Sequence, residues 1–107
     1  MRTKHTPGTW VLDSDPGGRL YVAQEYQGKP GGRICEVFQN CLVDPNTKRA
    51  NGNILAAAPE LLEQLRNTAD MLRSACIVIT DAEARQMALE TVAEARAAIA
   101  KATGEKA

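Results

Sequence analysis

The sequence predicts an α+β fold, with a small antiparallel β-meander of three to four strands over residues 1–45 and a two-helix C-terminal hairpin over residues 51–104. Together they form one domain of 107 residues. Three observations carry this. The aromatic residues Trp10, Tyr21, Tyr26 and Phe38 all fall before position 40, in short runs of the β-branched and aromatic kind. Two Pro-Gly-Gly phrases punctuate those runs, proline presetting φ and glycine supplying positive φ. Beyond residue 58, apolar residues recur every three or four positions, the period of a helix buried along one side.

Taken in order, Pro7-Gly8 turns the chain into a first strand at Trp10-Val11-Leu12. Ser14-Asp15-Pro16-Gly17-Gly18 turns it back, and residues 19–26 make the second strand. Residues 27–32 read as another turn, followed by a third strand over 33–40, which Cys41-Leu42-Val43 either extends or follows as a short fourth. Arg19 and Arg33 each open a strand after the same phrase. In an up-down-up meander this places them at opposite ends of one sheet.

Residues 44–53 are polar and read as a connection. Asn51 or Asn53 caps a short helical turn through Ala58, and Pro59 suits the first turn of the main helix. Leu61, Leu62, Leu65, Ala69, Leu72 and Cys76 form its apolar stripe. Ile77-Val78-Ile79 is an apolar hinge that should be buried. Thr80-Asp81-Ala82-Glu83 is a capping box for the last helix. Ala84, Met87 or Ala88, Thr91 or Val92, Ala95, Ile99 and Ala102 form that helix's stripe, and Gly104 suits its stop. Nine alanines between positions 82 and 102 favour helix and permit close approach of a neighbour.

Charge and composition narrow the function classes. The formal net charge is zero, so no molecule-wide field draws the chain to nucleic acid or anionic lipid. DNA binding is further disfavoured because no recognition helix is evident. The longest apolar stretch, residues 54–58, is too short to cross a bilayer, and the expected location is the cytoplasm. Cys35, Cys41 and Cys76, with no C-x-x-C pair, read as neutral thiols in a reducing compartment. His5 is the only histidine; no metal or other cofactor is expected, and a catalytic base is missing. Glu60 with Glu63 and Glu90 with Glu94 sit among polar neighbours as solvated surface does. The expectation is a protein that is not an enzyme.

The polar cluster at 48–53 is the candidate site. Lys48 and Arg49 can meet an anion, while Asn51 and Asn53 carry amides able to read a base or ribose edge; the alternative is a loop that only caps a helix. Arg33, beside the second Pro-Gly-Gly phrase, is a further phosphate contact. Trp10 is either a stacking platform or core. An interior this poor in aromatics also predicts a homo-oligomer.

Two phrases carry a resemblance. His5-Thr6-Pro7-Gly8-Thr9-Trp10 and Ala50-Asn51-Gly52-Asn53-Ile54-Leu55-Ala56-Ala57-Ala58-Pro59-Glu60-Leu61-Leu62-Glu63 resemble a group of small phage and prophage proteins, in which Gly52 is usually alanine. The layout of a small sheet and a helix pair is also similar to that of the Thoeris anti-defence sponge proteins. That second resemblance implies an oligomer, in the cytoplasm of an infected host, that sequesters a cyclic nucleotide or cyclic ADP-ribose signal. The alternative partner is a host defence enzyme of the CRISPR or restriction kind, inhibited through the helical face.

Overall fold

The computed structural model describes residues 5–38 and 44–105. Strands β1 (Trp10–Ser14), β2 (Leu20–Tyr26) and β3 (Lys29–Val37) form an antiparallel sheet in the order β1-β2-β3, and helices α1 (Pro45–Ala75) and α2 (Ala82–Thr103) follow. The α+β class and the meander are as the sequence predicts. The suggested strand at 41–43, and Cys41 with it, lies outside the described residues. The chain divides into two compact units, Met1–Glu60 and Leu61–Ala107.

In the first unit the β1–β2 turn is built as expected. Gly18 N–H donates to the Asp15 carbonyl at 3.0 Å, and Arg19 N–H donates to Asp15 Oδ1 at 3.0 Å. The second turn differs. Tyr26 pairs with Lys29, so the loop shrinks to Gln27 and Gly28. Both have positive φ, 51° and 78°, which is the two-residue turn whose twist matches the flanking strands. Pro30, Gly31 and Gly32 therefore belong to β3 and not to a turn. As an edge strand, β3 tolerates the donor that proline lacks. A Cβ on Gly31 would stand 3.0 Å from the Gln24 carbonyl oxygen and from Tyr26 Cβ, at a stretch where the β2–β3 register slips.

One sheet face buries Leu20 and Val37, with Val22 wholly covered, and Trp10, Leu12, Ile34, Cys35 and Ala56 pack around them. Ala56 comes from α1, and Gly52 marks where that helix comes nearest. A Cβ there would meet Leu12 Cδ2 at 2.8 Å and Leu20 Cδ2 at 3.2 Å. Glycine's missing side chain lets the helix backbone lie this close.

The polar stretch at 44–53 is thus not a connection. Asp44 caps α1: Thr47 N–H donates to Asp44 Oδ1 at 2.7 Å and Lys48 N–H to its carbonyl at 2.9 Å, with Pro45 at the first helical position. The helix begins six residues before Asn51 and runs past Pro59, which lies in its interior.

The second unit joins the rest of α1 to α2. Asp81, one residue after the expected cap, accepts the Ala84 N–H at 2.7 Å. Gly104 closes α2 in the left-handed conformation, φ 73°. Ala69, Cys76, Val92 and Ala100 are buried. On α1 the inward row is Leu62, Leu65, Ala69, Leu72 and Cys76, while Leu61 is exposed. On α2 the inward row is Ala88, Val92, Ala95, Ile99 and Thr103; Ala84, Met87, Thr91 and Ala102 stand exposed. The expected apolar hinge is also open, with Ile77 82 % and Val78 77 % exposed. Its tight turn, Ile77 N–H to Ser74 O and Val78 N–H to Ala75 O, leaves both side chains outside.

Candidate functional site

The opening phrase around Trp10 is a fastening. Trp10 Nε1–H donates to the Thr6 carbonyl at 3.0 Å, and the His5 ring meets the indole edge-on at 5.9 Å. Gln24 Nε2 donates to the Pro7 carbonyl at 3.0 Å and Glu25 N–H to the Thr9 carbonyl at 2.8 Å. The half-buried indole packs on the sheet core. Of its two expected roles, Trp10 fills the structural one.

The four helical candidates do not converge. At 3.6 residues per turn Asn51 and Asn53 diverge by roughly 160°, on either side of the core-facing Gly52. Both are exposed. Arg49 and Asn53 share one row of α1, four residues apart. Lys48, half-buried, shares the row of Gly52. Arg33 is on the other side of the sheet: Leu12 and Leu20 face the helix, so Tyr21, the next residue along β2, faces away, and Arg33 lies over Tyr21.

That open face holds a group of residues the sequence reading did not assemble. The Arg33 guanidinium carbon sits 3.8 Å above the centre of the Tyr21 ring, a cation–π stack. Tyr21 O–H donates to Asp15 Oδ2 at 3.5 Å. Asp13 and Glu36 flank Tyr21 across the strands. The Asp15 carboxyl is held below its ordinary value by the backbone N–H of Arg19, then by that of Gly17 and by the two guanidinium charges, against some desolvation. Arg19 is pushed above its ordinary value first by the neighbouring Tyr21 hydroxyl, then by the charges of Glu36 and Asp15. Arg33, opposite Ala23 within β3, thus reaches back to Tyr21, two residues from Arg19, and the two arginines are not at opposite ends of the sheet. The cause is the short turn at Gln27-Gly28, which sets Arg33 opposite Ala23. The signal in the sequence was the Gln-Gly pair, read as part of a longer loop.

Chemically, the face offers two oriented guanidinium groups, an aromatic ring and three carboxylates, all within reach of solvent. Among the described residues, no group of three or more His, Cys, Asp or Glu is placed to hold a metal ion. No described helix is long and apolar enough to cross a membrane.

A protein-family model described as Salmonella phage P22 protein Y8K6 matches residues 1–106. This chain belongs to that phage protein family. No curated protein and no solved structure matches it. The family gives the phage protein an origin, and both quoted phrases lie inside the matched span. Its chemistry has to be argued from the open sheet face.

Proposed function

We propose that this phage protein is a non-enzymatic anti-defence protein that binds and sequesters a host nucleotide second messenger, of the cyclic oligonucleotide or cyclic ADP-ribose type, in the cytoplasm of the infected cell. The observation that carries the reading is the Arg33 guanidinium held 3.8 Å over Tyr21, with Arg19 two residues before Tyr21 on the same strand side. Two oriented guanidinium groups suit phosphate oxygens, the ring offers a stacking surface, and Asp13, Asp15 and Glu36 accept from ribose hydroxyls or base amino groups. The mixed charge favours a small nucleotide over a nucleic acid, since the carboxylates repel a continuous phosphate track. In this reading Arg33 stays in the binding set, Arg19 and Tyr21 join it, and Lys48, Arg49, Asn51 and Asn53 are helix surface.

The test is calorimetric titration of the full chain with cyclic dinucleotides, cyclic trinucleotides and cyclic ADP-ribose isomers. Micromolar or tighter binding is expected to one of them, weakened roughly 10- to 100-fold by Arg33→Ala, the loss of a charge-assisted hydrogen bond. No heat from any of them at micromolar protein would sink the reading. A second reading, inhibition of a host defence enzyme through the helical face, is favoured by the exposure of Met71 and Met87. A stoichiometric protein captured from host lysate, with no bound nucleotide, would select it.

A further inference from the structure

The hairpin formed by Leu61–Ala107 has two unlike broad sides. On α1 the exposed positions Leu61, Gln64, Thr68, Met71 and Ala75 form a row, each lying one residue before a member of the inward row or in phase with it. On α2 the corresponding row is Ala84, Met87, Thr91, Glu94, Ala98 and Ala102, again one residue before inward positions. Stepping back one residue rotates the direction by about 100°. In two antiparallel helices the same step turns both rows to the same broad side. The ion pair between Asp70 and Arg96, at 3.8 Å, checks this: Asp70 follows the inward Ala69, Arg96 follows the inward Ala95, and they meet across the helices on the opposite side. That opposite side carries the charge, with Glu63, Arg66, Asp70 and Arg73 on α1 and Arg96 on α2.

Along the two rows of the first side Glu94 is the one charged residue among the described positions, set toward the outer edge of α2. Leu61 is 56 %, Met71 74 % and Met87 63 % exposed. The Thr91 hydroxyl donates to the Met87 carbonyl at 2.9 Å, which leaves less polarity for that surface. A solvated helix face ordinarily collects Lys, Glu and Arg, and this chain has 26 acidic and basic side chains to supply them.

We infer that this charge-poor side is a self-association surface that takes the same side of a second copy of the chain, closing two hairpins into a four-helix bundle. Three features choose a second copy. The hairpin's own buried residues, Ala69, Cys76, Val92 and Ala100, are too small to make an independent core, and a two-helix unit lacks the second layer that a bundle supplies. The side is about 25 Å long and about 20 Å wide, a footprint that, as corrugated accessible surface, approaches the roughly 800 Å² per subunit of a standard interface. It is also complementary to itself: α1 presents Leu61 and Met71, and α2 presents a row half of which is alanine. A two-fold axis along the hairpin lays the large row of each copy over the small row of the other, the alternation that lets helix layers interdigitate. The inference deepens the oligomeric part of the proposed function without depending on the ligand.

The experiment is native mass spectrometry and light scattering on the full chain across a dilution series from about 100 μM. A dimer, or an even assembly of dimers, is expected. Met71→Glu with Met87→Glu should reduce it to monomer while circular dichroism keeps the strand signal, and Arg73→Glu, on the charged side, should leave the dimer intact. Should the double variant unfold, wild-type methionine oxidation by peroxide decides the matter: Met71 and Met87 should react more slowly in concentrated than in dilute protein. A monomer throughout, a dimer indifferent to the double variant, concentration-independent oxidation, or a host protein seated on this side in place of a second copy would each overturn the inference. A dimer that binds no nucleotide would leave it standing and count against the nucleotide reading alone.

Discussion

The two units of this protein bury apolar residues of different size, and both leave large ones outside, Tyr26, Phe38, Ile54 and Leu55 in the first. In Met1–Glu60 the sheet buries Leu20, Val22 and Val37 beneath the first half of α1, and Gly52 lets the helix backbone settle against Leu12 and Leu20. In Leu61–Ala107 two helical segments bury mainly Ala69, Cys76, Val92 and Ala100, leaving Leu61, Met71, Ile77, Val78 and Met87 outside. Strand pairing supplies the first unit with a broad flat face that one helix can cover. Two helices share only a narrow seam, so roughly half of a wide apolar stripe stays uncovered. The helical unit thus has a core of smaller side chains than the sheet unit has.

The comparison is tested first where the core is deepest. Leu20→Ala should lower stability by about 3 kcal/mol, the usual cost of a buried large-to-small change. Urea unfolding measures it, and a loss below about 1 kcal/mol would mean the sheet core is not closed as described. Next comes the helix–sheet contact. Gly52→Leu, whose Cβ alone would stand 2.8 Å from Leu12 Cδ2, should cost about 2 kcal/mol by overpacking. Gly52→Ala should cost much less, because alanine's helix propensity, about 1 kcal/mol better than glycine's, offsets the crowding.

In the helical unit the effects should be smaller. Asp81→Ala removes the acceptor of the Ala84 N–H and should cost about 1 kcal/mol, whereas Thr80→Ala, at the cap position expected from the sequence, should be close to neutral. Differential scanning of both variants separates the two assignments.

The smallest effect is with pH. Asp15 and Asp44 are both held below their ordinary value, Asp44 first by the Thr47 backbone N–H and then by its hydroxyl. A depressed carboxyl stabilises the fold fully above its unfolded pKa. The contribution disappears as pH falls through the lower folded value. Urea stability should therefore hold flat down to about pH 4 and decline below it, with a shallower decline in the double variant Asp15→Asn, Asp44→Asn. An equal slope in the two proteins would show that neither carboxyl is linked to folding.

Much of the fold was legible in local chemistry. The Asp15 turn, the Gly104 stop, the inward row of α1 and the order of strands and helices follow from residue types and spacing that need no distant partner. The start of α1 was not. Asp44-Pro45 is a cap and first-turn pair, but Gly52 and three asparagines make residues 45–53 poor in helix propensity, and packing of Gly52 on the sheet overrides that. The phase of α2 was also hidden. With alanine at nine of its positions, two adjacent rows look equally apolar, and only contact with α1 picks the one led by Val92.

The same division applies to the candidate site. The sequence marked Arg33 as available, yet it paired it with helix residues that the fold sends elsewhere, because a Gln27-Gly28 turn and a six-residue loop put different side chains beside Tyr21. Composition and periodicity by themselves determined the class of fold and the order of its elements. Tertiary structure alone decided which arginine lies over the aromatic ring and which residues of the hairpin face inward. Cross-strand register and helix phase set those, and both depend on contacts between residues far apart in the chain.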